Sequence, residues 1–432
     1  MKRPILMGAP LVVVVLLVTS CSGEQGPTGR APDGDLEPSS IIVQVSGERE
    51  ETAVYRAIKQ AYENDNPSNE VKLVEIAEKD DHLTKLATSF AAGDPPDVFL
   101  VNFREYSQFV ARGAIEPYGS FAEDLDVDLD EYYPAPLEAF TFNDELQCMP
   151  QNVSSLVVYY NTDLFAQAGV DPPSAGWTWD DFRATGEALT KGDVRGIGIE
   201  PSIIRLAPFV WSNGGELVDD DAEPSTFTLD TPEASGALEF LVSLAHDELI
   251  PTEKELAAQD LETRFVTSKV AMLLSSRRDT PAFREVRGLN WDVGPLPVAE
   301  EEVGILHSDG YCISSLSDNP EAAADFVAYA TGQQGQTLAA LGGRTVPSYM
   351  AVANSGAFLD PTQAPASSQV FLDAIPNLRR TPVIPTWPEI EDLAEEILTR
   401  AFYEPGYTID DAIEALLTET EALFVEGVEQ LE

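Results

Sequence analysis

The chain has 432 residues and a formal net charge of −48 at pH 7, with 74 acidic against 26 basic side chains. Its length exceeds that of one ordinary domain, so two domains are expected, and a hydrophobic content of 44% is enough to build their cores. The charge excludes nucleic acid and anionic membrane surfaces as partners, because a strongly negative protein repels phosphates and anionic headgroups alike.

The first forty residues have the pattern of export and attachment signals. The basic start Met1-Lys2-Arg3 precedes an apolar run, 5–18, that suits a signal peptide and is too short for a confident membrane span. The run ends in VTSC at 18–21, which resembles a bacterial lipobox, in which the cysteine is lipid-modified and becomes the first mature residue. We predict a signal peptide over 1–20, a lipid on Cys21 and a flexible, Gly-, Pro- and Ser-rich tether over 21–40. A chance cysteine after an ordinary or uncleaved leader is the alternative.

Strands and helices alternate from Ile41 onward. Strands are predicted at 41–45, 71–76 and 98–100, and the segments between them carry apolar residues at helical spacing. This repetition predicts an α/β domain with right-handed crossovers.

Residues 150–182 form the stretch around which the chain is organised. The β-branched and aromatic run 153–160 is typical of a buried strand. Asn161 can cap a brief helix that Gly169 ends, and Thr178 is a good N-cap for a helix to about Lys191.

The same alternation follows to the C-terminus. A short strand is predicted at 196–199 and a return strand at 311–314, with helices at 231–247, 321–330, 389–402 and 408–428.

Short words along residues 41–432 resemble, in order, the extracellular solute-binding proteins of ABC importers, in the maltose-binding-protein-like group (solute-binding family 1). They include GDPPDVF at 93–99, YNTDLF at 160–165, AGVDPP at 168–173, TWDDF at 178–182 and WDVGPLP at 291–297. In a further word, 264–274, Ser268 stands where the family usually has glycine.

The resemblance implies a two-lobe, periplasmic-binding-protein-like (type II) α/β fold with hinge strands between the lobes. Each lobe is expected to be a mixed sheet flanked by helices. Lobe 1 would comprise residues 41–152 and 305–360, and lobe 2 residues 153–304 and 361–432.

The function that the resemblance implies is a monomeric, lipid-anchored receptor outside the cytoplasm. It would capture a carbohydrate between its lobes and deliver it to the permease subunits of an ABC importer, without a cofactor or metal. A receptor for another polar solute, such as a polyol phosphate or an oligopeptide, is one alternative, and an extracytoplasmic enzyme on the same fold is another. Three histidines and the absence of GxSxG, HExxH and P-loop motifs disfavour the enzyme.

Sugar sites combine aromatic platforms with planar polar side chains. The resemblance places candidate ligand contacts mainly in loops after strands and near the crossover between lobes: Ser46, Glu48, Arg49, Asn102, Phe103, Arg104, Asn152, Ser154, Glu200, Trp211, Arg277, Arg278, Asp309, Gly310, Tyr311, Arg344 and Trp387. Trp177, Trp179 and Trp291 belong to structural words and are expected in the core.

The pair Arg277-Arg278 stands where many sugar binders have glycine and tryptophan. This departure disfavours a long maltodextrin. It favours a smaller sugar, or one bearing an acidic or phosphoryl group that arginine can hold with two hydrogen bonds.

Two cysteines would remain after lipidation, Cys148 and Cys312. In the family the strands that carry these positions run side by side, and the extracytoplasmic compartment favours disulfides. A Cys148–Cys312 bridge is therefore one expectation, and two buried free thiols are the alternative.

Overall fold

The computed structural model describes residues 39–431, and two larger β-sheets organise this part of the chain. The first sheet has the strand order Asn69–Ile76, Ser39–Ser46, Val98–Asn102, Asp309–Ser314 and Ile115–Glu116, and Cys148–Pro150 also pairs with Asp309–Ser314. The first three strands are parallel, whereas Asp309–Ser314 is antiparallel to its neighbours. The sheet is therefore mixed, as predicted.

Eight helices surround the first sheet. They are Arg49–Asp65, Lys79–Ala92, Phe103–Val110, Tyr118–Asp124, Pro134–Ala139, Pro320–Thr331, Gln333–Gly342 and Met350–Ala353. The helix Arg49–Asp65 shows why they form: Tyr55, Ile58 and Tyr62 recur at helical spacing and are all buried, while the opposite face is charged.

The second sheet has the order Trp291–Gly294, Val157–Asn161, Val270–Ser275 and Arg195–Gly198. Its helices are Thr162–Ala168, Trp179–Leu189, Ile203–Ser212, Pro232–His246, Glu253–Ala258, Leu261–Val266 and Thr280–Glu285. The central strand Val157–Asn161 is buried at every position. A strand covered on both faces needs apolar residues throughout, which explains its continuous run of valine and tyrosine.

The C-terminal part of the chain consists of Gln369–Ala374, Trp387–Tyr403 and Ile409–Glu429. The last two helices pack on each other and on Pro232–His246. Their buried residues, including Ile390, Leu398 and Phe424, join the core on one face of the second sheet.

Shorter elements complete the described chain. They are the ladders Thr141–Phe142 with Glu145–Leu146 and Gly304–Ile305 with Leu378–Arg379, and the 3-10 turns Leu129–Glu131, Arg277–Asp279 and Ile375–Asn377.

Local signals fix the central stretch as predicted. The side chain of Asn161 accepts hydrogen bonds from the backbone of Asp163 and Leu164, and Gly169 ends the helix at φ 70°. Thr178 caps the next helix and forms a reciprocal capping box with Asp181. Each such cap stabilises its helix by about 1 kcal/mol.

The backbone of Ser268 accounts for the glycine that the resemblance leads one to expect at this position. Its backbone lies in the left-handed region, φ 58°, which side chains other than glycine seldom adopt. Its hydroxyl accepts a hydrogen bond from Asn161 Nδ2 at 3.1 Å, which ties this turn to the central strand.

The two sheets are linked by extended segments that lie side by side. Ser154 pairs with His307, and Asn152 pairs with Pro347, through isolated antiparallel bridges. The segments 152–156 and 303–308 thus cross between the sheets together, which is where hinge strands were expected. The residue boundaries given for the two lobes stay a prediction.

Cys148 and Cys312 lie directly opposite each other on antiparallel strands of the first sheet. Their sulfur atoms are joined in a disulfide of 1.98 Å, with the Cα atoms 4.4 Å apart. The bridge lies within the first sheet, so it does not tie the two sheets together.

The predicted signal peptide, the predicted lipidation site Cys21 and nearly all of the predicted tether lie outside the described residues. The first strand begins at Ser39, which pairs with Asn69, two residues earlier than predicted. Within residues 39–431, no helix has the length and apolar character to cross a membrane, and no group of metal-binding side chains is found.

Candidate functional site

A cavity of about 780 Å³ opens between the ends of the two sheets. Residues from the first sheet's loops, the crossover segments and the second sheet's loops all line it. We call it the cleft. The predicted site residues that line it are Ser46, Glu48, Asn102, Arg104, Asn152, Ser154, Glu200, Arg278, Asp309 and Arg344.

The other predicted residues lie elsewhere. Arg49 is exposed on the first turn of its helix, and Phe103 and Tyr311 are buried in the core of the first sheet. Gly310 faces the ring of Phe140, which a Cβ atom would approach to 2.7 Å, so glycine is needed there for packing.

Trp387 and Trp211 are packing residues in this structure. Trp387 is fully buried against Phe227 and Phe424, at the start of helix Trp387–Tyr403. Its Nε1 donates to Glu391 Oε1 at 2.6 Å, the carboxylate that also pairs with Arg104. Trp211 is buried beneath the guanidinium of Arg379.

Arg277 points away from the cleft and is only 1% exposed. It donates to Gly343 O at 2.9 Å and to Ser368 Oγ at 3.0 Å, and its guanidinium stacks on Phe358 and Phe371. Burial lowers the pKa of Arg277 to about 10. Its role here is to join the loop after Val270–Ser275 to the segment around Gly343.

Asp309 is held in place at the start of the return strand. Asn102 Nδ2 donates to Asp309 Oδ1 at 3.1 Å, and Asn152 Nδ2 donates to Asp309 Oδ2 at 2.9 Å. The Asn152 Oδ1 atom in turn accepts from the Asp309 backbone N–H at 3.1 Å. Two neutral amides therefore fix the orientation of this carboxylate without cancelling its charge.

Arg104 crosses the cleft to the C-terminal helices. Its Nε donates to Asn102 Oδ1 at 3.1 Å, and its Nη1 donates to both carboxylate oxygens of Glu391 at 2.8 and 2.9 Å. Burial disfavours its charge, but Glu391 and Glu105 outweigh that effect and raise the pKa of Arg104. The pair joins a helix of the first sheet to a helix packed on the second.

The remaining cationic side chains of the cleft also have carboxylate partners. Arg344 pairs with Glu51 at 2.8 Å, and Lys79 pairs with Glu105. Burial raises the pKa of Glu51 and of Glu105, against the opposing effects of Arg344 and Lys79. We call the six residues of these pairs and of the Arg104–Glu391 pair the cleft walls: Lys79, Glu105, Arg104, Glu391, Arg344 and Glu51.

Arg278, the fourth cationic side chain that lines the cleft, contacts the carboxylates of Glu262 and Asp279, both at 3.4 Å.

The base of the cleft differs from its walls. Ser154 Oγ and His307 Nε2 are buried, and neither has a hydrogen-bond partner within residues 39–431. The two residues pair across the crossover segments, and both line the cavity. Together with Asp309 we call them the cleft floor.

His307 is uncharged at neutral pH. Burial lowers its pKa well below the ordinary value, and the positive charges of Arg104, Arg205 and Arg278 act in the same direction. His82 differs from His307, because both ring nitrogens of His82 have hydrogen-bond partners, the side chain of Gln44 and the carbonyl of Leu100. His82 is therefore structural, whereas His307 has a free ring nitrogen to offer.

Aromatic platforms are scarce in this cleft. Phe283 is the only phenylalanine, tyrosine or tryptophan among the described residues that line it, and it is 2% exposed. A bound ligand would therefore be recognised chiefly through hydrogen bonds and charge rather than by stacking on a ring.

Several cleft residues escaped prediction from the sequence. Glu51, Lys79 and Glu105 lie on helices rather than in strand-end loops, and His307 lies on the return segment. The one available signal for His307 was its spacing from Asp309, because residues two apart on an extended segment share a face.

A second cavity of about 370 Å³ lies on the other side of the crossover segments. Ser155, Val157 and Gly304 line it, together with Pro173 and Val370. Ser154 faces the cleft and Ser155 faces this cavity, as alternation along an extended chain requires.

The chain matches a known protein family and is similar to several known proteins. The family model described as bacterial extracellular solute-binding protein matches residues 46–337. A putative binding protein of Brucella abortus (strain 2308) is 26% identical over 388 residues, which cover 83% of this chain and 87% of that protein. An arabinooligosaccharide-binding protein of Halalkalibacterium halodurans is 27% identical over 261 residues, covering 57% of this chain and 56% of the relative.

The fold is also found among solved structures. An ABC substrate-binding protein from Listeria monocytogenes in complex with cycloalternan matches with a TM-score of 0.81 at 24% identity, covering 90% of this chain and 98% of that one. At this identity the match shows a shared fold, and it confirms the predicted two-lobe architecture.

Proposed function

This chain belongs to the bacterial extracellular solute-binding protein family, and we propose on that basis that it is the receptor of an ABC importer for a carbohydrate. It captures the solute between its two lobes and hands it to the permease subunits in the membrane. The observation that carries the proposal is the cleft floor, where buried polar atoms without partners face a cavity between two lobes.

The chemistry of the floor suits a polyhydroxylated ligand. A buried hydroxyl or ring nitrogen without a hydrogen bond costs about 1–3 kcal/mol, and a sugar hydroxyl can both donate to and accept from such groups. The oriented carboxylate of Asp309 accepts from further hydroxyls. The ligands named for the arabinooligosaccharide-binding relative and for the cycloalternan complex support the choice of a carbohydrate.

The cavity volume supports a small ligand. A volume of about 780 Å³ lies within the range of ordinary small-molecule sites and is suited to a short oligosaccharide. The crossover segments beneath the floor supply the hinge by which the lobes close on the ligand.

Binding can be tested by thermal shift with a panel of mono-, di- and oligosaccharides. A ligand that binds only the native state raises the melting temperature as its concentration rises. We expect a dose-dependent rise with at least one carbohydrate, and none with a panel of oligopeptides or polyol phosphates. A rise with those solutes and none with carbohydrates would contradict the proposal.

The receptor is proposed to make and break no bond. Incubation of the purified protein with the carbohydrate that binds should return that carbohydrate unchanged. Turnover at a rate that scales with protein concentration would support the enzyme alternative instead.

Anchoring through Cys21 is proposed from the leader and its VTSC end. Cleavage before Cys21 and attachment of a diacylglyceryl group at its sulfur would hold a monomeric receptor at the outer face of the cell membrane. The variant Cys21→Ala should lose lipid labelling and be released or mislocalised. Labelling that persists in this variant would contradict the anchor.

A further inference from the structure

The charges of the cleft are arranged so that its cations are already occupied. Nine carboxylates and four lysine or arginine side chains belong to residues that line it. Every one of the four cations has a carboxylate partner, whether in the walls or, for Arg278, in Glu262 and Asp279. An anionic ligand would have to displace these partners, so the cleft is poorly suited to a phosphoryl or carboxylate group.

Asp309 differs from the other carboxylates that line the cleft without an ion pair, because Glu48, Glu78 and Asp260 are exposed and Asp309 is half-buried. It forms no ion pair with a lysine, arginine or histidine within the described part of the chain. Its hydrogen-bond partners there are the amides of Asn102 and Asn152 and no cation. Each amide occupies one oxygen, and each carboxylate oxygen can accept a further bond. The result is an oriented negative charge that has no direct ion-pair partner in the described residues, although it helps to raise the pKa of Arg104 and of Arg344.

The other two floor residues can add to this acceptor surface, because a hydroxyl accepts as well as donates and a neutral imidazole accepts at Nε2 when its proton is on Nδ1. His307 lies two residues before Asp309 on an extended segment, so both side chains share a face at a spacing of roughly 6.6 Å. Its Nε2 has no partner, and neither does the hydroxyl of Ser154, a residue that is only 8% exposed. A ligand group rich in N–H and O–H donors would satisfy all three.

We infer that the cleft selects a carbohydrate that carries a basic nitrogen, an amino sugar, with the ammonium group against Asp309. The inference rests on the proposed carbohydrate function and names its substrate class. An ammonium group offers three hydrogen-bond donors and a positive charge opposite to that of the Asp309 carboxylate. Charge-assisted hydrogen bonds are about twice as strong as neutral ones. It replaces the expectation of an acidic sugar, because Arg277 is buried elsewhere and Arg278 already has partners.

Matched disaccharides test the inference directly. Cellobiose, the β-1,4-linked diglucosamine and N,N′-diacetylchitobiose share one linkage and differ at the C2 substituent, and cellobiouronic acid adds an anion. Titration calorimetry at pH 6, where the amine is protonated, should give affinity for diglucosamine at least tenfold above the neutral members. The uronic acid should bind most weakly.

Two variants locate the preference. In Asp309→Asn the ratio of amine to neutral affinity should fall to about two or below. Glu78→Gln is the matched control, because it removes one negative charge from the cleft lining at a side chain that forms no helix-cap hydrogen bond. It should keep the preference of the unmodified protein.

The outcomes separate the two proposals. Equal or tighter binding of the neutral or anionic disaccharides overturns the amino-sugar inference and leaves the carbohydrate receptor intact. A preference for the amine that persists in Asp309→Asn also overturns it. Binding of no carbohydrate in this set or in the thermal-shift panel overturns both proposals. The comparison of ligands on unmodified protein decides the matter even if a variant folds poorly.

Discussion

The walls and the floor of the cleft use polar side chains in opposite ways. In the walls, Arg104, Arg344 and Lys79 each meet a carboxylate, so the charges are neutralised within the protein. In the floor, Ser154 Oγ and His307 Nε2 have no partner among residues 39–431, and Asp309 has only neutral amides. The paired side chains of the walls hold the protein together, whereas those of the floor are left for a ligand. Changes in the walls should alter stability, and changes in the floor should alter binding.

The scaffold beneath the floor should give the largest effect. Cys148 and Cys312 join strands of the first sheet, and the second strand begins with Asp309. The closed loop spans 164 positions, for which chain entropy gives an upper figure of about 4–5 kcal/mol of stability. Reduction, or Cys148→Ala with Cys312→Ala, should lower the melting temperature markedly and leave ligand affinity within about twofold.

Thiol counting provides the check on this first prediction. Unfolded, unreduced protein should show no reactive thiol from these two cysteines. Two free thiols beyond Cys21, or an affinity that falls together with stability, would contradict it.

Breaking a wall pair should come next in size. Arg104→Met leaves Glu391 mostly buried and without its cation, and a partly buried pair broken on one side is expected to cost about 2–3 kcal/mol. Denaturant unfolding measures the loss. Arg278→Met is the matched control, because that arginine is 53% exposed and its contacts are longer, so it should cost less than about 1 kcal/mol. Equal losses in both variants would count against the distinction.

Walls and floor should also respond oppositely to acid. His307 has a lowered pKa, so the unfolded state binds the proton first and stability falls as pH drops below about 6.5. Glu51 and Glu105 have raised pKa values, so the folded state binds protons first, and their contribution grows as pH falls toward their ordinary range.

The variant His307→Gln isolates the floor's part in this response. It should lose about 1–2 kcal/mol less stability than unmodified protein between pH 7 and pH 5. Unfolding at a series of pH values measures the difference. Parallel curves for the two proteins would mean that His307 does not titrate in this way.

The smallest effect is expected at Ser154. Ser154→Ala removes a buried hydroxyl that has no partner in the described residues, so the free energy of unfolding of the unliganded protein should rise by about 1 kcal/mol rather than fall. Ligand affinity should fall roughly fivefold to tenfold, the value of one neutral hydrogen bond. Ser155→Ala, on the other face of the same segment, is the control and should leave affinity unchanged.

The elements of the fold could be predicted because their signals are local. Thr178 with Asp181, Asn161 and Gly169 each specify a helix end within a few residues of sequence, and the buried run 157–160 specifies the central strand. The candidates Asn102 after the third strand, Asn152 near the crossover and Asp309 on the return strand line the cleft, and their contact with a ligand stays a prediction.

The rest of the site depends on contacts between distant segments. Trp387 looks like a sugar platform in sequence, yet Phe227 and Phe424 enclose it. Adjacent Arg277 and Arg278 turn to opposite sides, and nothing in the sequence tells which one enters the cleft. His307 gave no signal on its own, because its isolation from partners is a property of the packed structure.

A crystal structure of the protein with the carbohydrate that binds most tightly would test the distinction between walls and floor most directly. We expect ligand atoms within hydrogen-bond distance of Ser154 Oγ, His307 Nε2 and the Asp309 carboxylate, with the Arg104–Glu391, Arg344–Glu51 and Lys79–Glu105 pairs intact. A ligand held by those three cations with the pairs broken, or one seated in the second cavity beside Ser155, would contradict the account.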